Sequence, residues 1–294
     1  MLRATSDRSP LFECNPALDG WSLGGRDPET IKRLMPFWEW FYKYYFRVQT
    51  SGWENLPPGQ VLLVGSHNGG LSSPDMVMMI YDWFRCQGLH RPVYGLMHPT
   101  VWKMSRPLAE LAVKVGAVQA HPKMAIAALQ SGASVLVYPG GAQDVFRPFS
   151  QRHEIYFAGR KGFIKLALRQ RVPIVPAIAV GSHETLLVMG DCYDQVKYLH
   201  SLGMPWLLDV DPVVFPIYLG LPWGLALGPL PHVPLPLTMH TRICPPIYFE
   251  RYGNDAAKDK DYVEQCYQLV KTEMQRELDQ LAETANILPQ LNFL

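Results

Sequence analysis

The 294-residue chain predicts an α/β protein: a mixed, largely parallel sheet covered by helices on both faces, with an N-terminal amphipathic helix and a C-terminal helix. Three observations predict it. Short apolar runs recur between Val61 and Val180, bounded by Gly, Pro or Ser. Segments of helical periodicity separate them. The runs are apolar throughout rather than alternating, as expected of strands buried on both faces.

Each element follows in order. Residues 1–30 are polar and punctuated by Gly, Pro and Asp, and read as an irregular arm. In Ile31–Thr50, Lys32, Pro36, Glu39, Lys43 and Arg47 recur every three or four residues as one helical stripe, with Pro36 suited to the first turn. The rest is mostly aromatic: Phe37, Trp38, Trp40, Phe41, Tyr44 and Tyr45. Such a helix fits a membrane interface, with Trp and Tyr at headgroup level, or a protein core; charge interrupts it too often for a span. Val61–Val64 predicts a strand and Pro74–Phe84 a helix opened by Pro74. Val93–Met97 predicts a strand, Trp102–Val115 a helix and Gly116–Gln119 a short strand. Pro122–Gln130 predicts a helix ended by Ser131-Gly132, and Val135–Tyr138 a strand. Arg160–Gln170 predicts an amphipathic helix and Pro173–Val180 a strand.

The pattern then breaks. Pro212 to Thr241 holds no Asp, Glu, Lys or Arg, and its seven prolines forbid a regular helix. It predicts an irregular apolar segment, either a loop covering the core, a wall of a lipid tunnel or a patch touching membrane. Asp259–Ala285 predicts an amphipathic covering helix. The organisation is therefore an arm and interface helix over 1–50, one α/β domain over 51–250 and a helical cover over 251–294.

Composition narrows the function. The net charge of +1 and the lack of a basic run argue against nucleic-acid binding. Charged residues make up 18%, against about 25% typically. Cys14, Cys86, Cys192, Cys244 and Cys266 are scattered, with no C-x-x-C, which disfavours a disulfide framework or zinc site and suits a reducing compartment. MLRATSDRSPLFECNP has no apolar core, so no signal peptide is expected.

The candidate chemistry begins at VLLVGSHNGGLSSPD, Val61 to Asp75. His67 follows a strand, where α/β sheets place ligands. Asn68, Gly69 and Gly70 come next and are candidate substrate contacts. Asp75 sits at the start of a helix. A carboxylate on one imidazole nitrogen sets the tautomer and raises the basicity of the other, giving a base for a hydroxyl. Gly140 and Gly141, in YPGGAQDVF, follow another strand and could present N–H groups to an oxyanion. His98 and His183 also follow strands and have a claim to the same rim. Neither nucleotide-loop spacing, G-x-x-x-x-G-K-[ST] or G-x-G-x-x-G, is present, nor is the G-x-S-x-G elbow of an esterase.

Strand–His…Asp, a Gly-rich strand end, RKGFIKLALRQ and VPIVPAIAVG together resemble the glycerolipid acyltransferase superfamily (PlsC-like). The similarity is strongest to the type-2 diacylglycerol acyltransferases and the acyltransferase part of phytyl ester synthases. It runs from about Trp53 to Ser182, and GGAQDV…GRKGFIKLALRQRVPIVPAIAVG is its most specific part. The resemblance implies transfer of a fatty acyl group from acyl-CoA or acyl-carrier protein to a lipid alcohol, with His67 and Asp75 as the catalytic pair. It implies no metal or redox cofactor, and a peripheral, cytoplasmic-side membrane location.

Three departures from the family pattern bear on the dyad and on the acceptor. Seven residues separate His67 from Asp75 where the family has four, so Gly69 to Pro74 must bulge. The Glu and Arg of the family's third motif are absent from Tyr138–Gln143. His121 stands where the second motif ends in Arg. Losing two arginines favours a neutral acceptor such as diacylglycerol, phytol or a quinol, because Arg matches phosphate oxygens. Arg147, Arg160 and Lys161 stay nearby as candidate contacts for a donor phosphate, or as solvated charges. Two rivals stand: a lysophosphatidate acyltransferase with a phosphate clamp from Arg147, Arg152 or Arg160, and a non-catalytic lipid-binding protein of the same fold.

Overall fold

The computed structural model describes residues 19–99, 102, 105–206 and 211–285. Most of the expected N-terminal arm lies outside the described residues, as do Lys103 and Met104 of the helix expected over Trp102–Val115. The elements are α1 (Pro28–Trp40), β1 (Gln49–Ser51), β2 (Leu62–Gly65), α2 (Pro74–Gln87), β3 (Val93–Met97), α3 (Arg106–Lys114), β4 (Ala117–Gln119), α4 (Pro122–Gln130), β5 (Ser134–Val137), α5 (Gly141–Val145), α6 (Gly162–Gln170) and β6 (Ile174–Val180). There follow β7 (Leu187–Asp191), α7 (Tyr193–Ser201), β8 (Pro216–Gly220), β9 (Gly224–Leu227), β10 (His240–Ile243), α8 (Asn254–Lys258) and α9 (Lys260–Ala285).

A seven-stranded sheet runs β1-β10-β6-β2-β5-β3-β4. The five strands from β6 to β4 are mutually parallel; β10 is antiparallel to β6 and parallel to β1. Strand pleating divides the apolar runs between two cores. Leu62 and Val64 face a core built with α4, α6, α8 and α9, while Val61 and Leu63 face one built with α1 and α2. This is why the central strands read as continuous apolar runs. On α9 the buried residues Val263, Tyr267, Val270, Met274, Leu278 and Leu281 recur every three or four positions, one stripe against the first core.

Two expectations are corrected. Pro36 does not open the first helix: α1 starts at Pro28, capped by Asp27, whose carboxylate accepts the Glu29 N–H at 3.0 Å and the Thr30 hydroxyl at 2.6 Å. Asp27-Pro28 supplies both start signals, and Pro36 lies inside the helix. A π turn then spans Phe41–Tyr45, where the Phe46 N–H reaches back to the Phe41 carbonyl. The aromatics divide between two environments. Trp38, Tyr42 and Phe46 are in the second core, whereas Phe37, Trp40 and Tyr44 are 59%, 50% and 67% exposed.

The Pro-rich segment is not irregular throughout. β8 and β9 form a hairpin, and with β7 a separate antiparallel sheet ordered β7-β8-β9. Pro216 and Gly224 each take the first position of a strand, where a proline is tolerated and a glycine can turn the chain. Val188, Tyr218 and Ala226 face inward onto Val145 and Phe146. No helix among the described residues is long and apolar enough to cross a membrane.

Candidate active site

β2 lies between β5 and β6, and the chain reverses its progress across the sheet there. It leaves β2 for β3 and β4, returns to β5 and crosses to β6. Ligands bind at the carboxyl ends of such strands. Three segments meet at this rim: His67-Asn68 after β2, Tyr138–Gly141 after β5, and Gly181–Glu184 after β6.

His67 Nδ1 is 3.1 Å from Asp75 Oδ2, and the same oxygen accepts the Asn68 N–H at 2.8 Å. The long insert reaches this geometry through a bulge. Gly69 and Gly70 take φ of +79° and +61°, Gly70–Ser72 forms one 3₁₀ turn, and Ser73 is also left-handed at φ +42°. Pro74 then starts α2 and sets Asp75 in its first turn. A Cβ on Gly69 would lie 2.6 Å from the Pro74 ring, and one on Gly70 2.5 Å from His232 Cε1. Space and backbone conformation therefore both demand glycine here. The bulge is tied down from 160 residues away: Ser72 Oγ donates to the His232 carbonyl at 2.6 Å, and His232 Nε2 meets the Gly69 carbonyl at 3.1 Å.

The His67 ring stacks on Tyr138 with centroids 4.5 Å apart. Gly65 leaves room for that ring, since a Cβ there would fall 2.3 Å from it. With Nδ1 committed to Asp75, Nε2 has no hydrogen-bond partner among the described residues and is the nitrogen left for a proton. The His67 side chain keeps 16% exposure while that of Asp75 has 3%.

Beneath the pair lies a second, fully buried one. Asp144 Oδ1 meets Arg147 at 2.6 Å, and Asp144 Oδ2 accepts the His67 backbone N–H at 2.5 Å. Arg147 donates onward to the His67 carbonyl at 2.9 Å and to Asn68 Oδ1 at 2.6 Å. Burial pushes the Asp144 pKa up to about 6, with Arg147 and the His67 N–H pulling the other way. Gly140 permits the close turn above it: a Cβ would lie 2.2 Å from the Tyr156 carbonyl and 2.3 Å from Asp144 Cβ.

The other expected site residues fall into three groups. Asn68, Gly69, Gly70, Gly140 and Gly141 stand at the rim with His67. Gly141 directs its N–H to the Tyr138 carbonyl, and Arg160 holds the Pro139 and Gly140 carbonyls and Gln143 Oε1. Arg147 and His183 lie within the protein: Arg147 is directed wholly to protein acceptors, and His183, whose pKa burial and then the Arg147 charge push down to about 3, turns Nε2 to the Arg147 carbonyl. Lys161 is drawn away to Glu264 on α9, and His98 follows β3 within electrostatic reach of Arg160. Asp144, Tyr138 and His232 are the residues sequence reading does not single out. Asp144 carries one usable signal, an acid three residues before an arginine in an otherwise uncharged turn.

The sheet and its rim define the class: a glycerolipid acyltransferase fold. The crystal structure of the 1-acyl-sn-glycerophosphate (LPA) acyltransferase PlsC from Thermotoga maritima shares it with a TM-score of 0.50 and 15% identity, over 86% of this chain and 79% of that one. The chain belongs to the diacylglycerol acyltransferase family, whose model matches residues 23–280. It is 30% identical over 237 residues to an uncharacterized protein of Mycobacterium tuberculosis, spanning 80% of this chain and 62% of that protein's length. It is also 25% identical over 194 residues to the "DGAT1/2-independent enzyme synthesizing storage lipids" of Gallus gallus, covering 64% of this chain and 56% of that protein.

Proposed function

We propose that the protein is a membrane-associated O-acyltransferase that moves a fatty acyl group from acyl-CoA or acyl-carrier protein to a neutral lipid alcohol of the diacylglycerol, phytol or quinol type. The observation that carries the reading is the His67–Asp75 pair at the carboxyl end of β2, with Nε2 left available. In this reading His67 Nε2 takes the acceptor's hydroxyl proton as that oxygen attacks the thioester carbonyl carbon. The C–S bond then breaks, and the thiolate leaves with the proton from the imidazolium, giving an ester and a free thiol. Asp75 fixes the tautomer with the proton on Nδ1 and stabilises the imidazolium.

The arginines support an uncharged acceptor. Arg147 and Arg160 hold protein carbonyls, and Arg152 stacks on Phe149 at 4.5 Å and lies 3.7 Å from Glu184. A phosphate clamp would have to break these contacts. The test is turnover of labelled acyl-CoA and acyl-carrier protein with diacylglycerol, phytol, plastoquinol and lysophosphatidate, using the native chain and His67→Ala. Ester formation on a neutral alcohol that His67→Ala abolishes is the expected result. Product from lysophosphatidate alone would overturn the neutral-acceptor reading, and equal turnover by His67→Ala would overturn the base.

A further inference from the structure

We propose that the exposed aromatic side of α1 and the outer face of the β7-β8-β9 sheet form one continuous surface that rests on a lipid bilayer. Resting on the reading above, this surface holds the mouth of the His67 site at the lipid boundary.

The outer face of the small sheet is the first observation. Antiparallel sheets with one buried face ordinarily turn polar side chains to water. Here the inner row, Val188, Tyr218 and Ala226, is buried, and the outer positions are apolar as well: Leu219 pairs with Leu225, and Ile217 with Leu227. Leu225 is 68% exposed and Trp223, at the hairpin turn, 54%. The second observation is continuity. Tyr45, in the π turn after α1, donates its hydroxyl to the Pro234 carbonyl at 2.7 Å, and Arg47 reaches the Pro236 carbonyl at 2.7 Å. The exposed Val233 pairs through its N–H with the Leu221 carbonyl at 2.8 Å. Phe37, Trp40 and Tyr44 therefore adjoin the hairpin through the segment 233–236. His232, immediately before that segment, pins the bulge bearing the exposed Leu71, so the surface runs up to the dyad loop.

The occupant follows from the chemistry of the surface. Residues 212–241 contain no Asp, Glu, Lys or Arg, whereas a protein partner's footprint carries a polar rim with interspersed charge. Leucines over one stretch and Trp, Tyr and Phe over the other match an acyl region beside a headgroup layer. Two cations adjoin the exposed aromatics in the chain: Lys43, paired with Glu39, and Arg47, whose guanidinium holds the Tyr45 and Pro236 carbonyls. β9 is the outer strand of its sheet, and unpaired backbone groups are not tolerated in hydrocarbon. The sheet thus rests at interfacial depth and does not insert.

The test is flotation of the full chain on phosphatidylcholine vesicles, without substrate, so that binding is read apart from catalysis. The native chain floats. Leu221→Glu/Leu225→Glu lowers the partition coefficient at least about tenfold, since two large apolar side chains no longer leave water. Trp40→Glu also lowers it. Leu269→Glu, at an exposed leucine of α9 on the opposite layer, leaves it unchanged. Native-like thermal midpoints establish that the variants fold. If one does not, quenching of the native chain's tryptophan fluorescence by brominated-chain phosphatidylcholine replaces it, with Trp40 and Trp223 the exposed reporters on this face. A native chain that stays unbound, a hairpin variant that floats normally, or the absence of quenching overturns the proposal. So does a native dimer that the hairpin variant converts to monomer, which would make a second copy the occupant. Loss of flotation with turnover of a short-chain, water-soluble acyl-CoA and alcohol retained separates this surface from the catalytic reading.

Discussion

Asp144 accepts the backbone N–H of His67, and its ion-pair partner Arg147 donates to the carbonyl of the same residue. The candidate base is therefore gripped at both of its peptide groups by one buried pair. This grip is independent of the side-chain bond to Asp75. It links the segment that follows Gly140-Gly141 to the His67 loop through backbone.

Removing the charge of Arg147 tests the grip. In Arg147→Met the His67 carbonyl loses its donor, and the carboxylate of Asp144 is left buried without its counter-ion. Breaking a buried pair from one side costs about 3–5 kcal/mol, so urea unfolding should show a loss of that size. Asp144→Asn/Arg147→Met removes both charges and should recover part of it. Single and double losses that simply add would show that the pair is not coupled.

The same carboxyl predicts a pH dependence of stability. Its folded pKa, about 6, lies above the unfolded aspartate value of roughly 3.9. Between these values the folded state holds a proton that the unfolded chain has released. Stability from this group is therefore greatest below pH ~4 and declines as pH rises to ~6, by on the order of 3 kcal/mol. Denaturant titrations across pH 4.5–7 should show this downward contribution in the native chain and a shallower one in Asp144→Asn. Identical slopes would exclude a raised Asp144 pKa.

The sequence and the structure part company where partners are distant. β3 and α4 match their sequence-derived bounds because each carries local signals, an apolar run for β3 and Pro122 with Ser131-Gly132 for α4. α1 is displaced because two prolines compete for its first turn, and the capped one, Pro28, wins. β8 and β9 are hidden because both faces are apolar, which erases the period-2 signal, and because prolines crowd the same segment. At the site, His67, Asp75 and the need for a bulge are legible from spacing. Asp144 and His232 are not, since they meet the His67 loop as main-chain contacts from 77 and 163 residues away.

The dyad predicts a loss of turnover from either of its members. His67→Ala removes the base and should lower kcat by ~10²–10⁴ with KM little changed. Asp75→Asn keeps the side-chain shape but can turn an N–H toward Nδ1, which favours the tautomer with the proton on Nε2. Its kcat should also fall at least a hundredfold, on the order expected for general-base loss. Asp75→Ala should in addition lose stability by roughly 1–3 kcal/mol, because the buried Asn68 N–H loses its acceptor. Full activity in Asp75→Asn would show that His67 works with a different partner.

The bulge itself is testable through the contact between Gly70 and His232. Gly70→Ala forces an alanine to φ +61° and sets its Cβ 2.5 Å from His232 Cε1 and 2.6 Å from Leu186 Cδ2. The left-handed backbone and the overlap together should cost roughly 2–4 kcal/mol. His232→Ala removes the ring that crowds residue 70 and also the bond to the Gly69 carbonyl, so alone it loosens the bulge. In Gly70→Ala/His232→Ala the overlap with the ring is gone, and the double variant should be less destabilised than the two single losses added together. Each single variant should lower kcat more than KM, because Asp75 reaches His67 only while the bulge keeps its shape. Strict additivity in unfolding, with kcat unchanged in His232→Ala, would mean that the apolar segment covers the loop without positioning it.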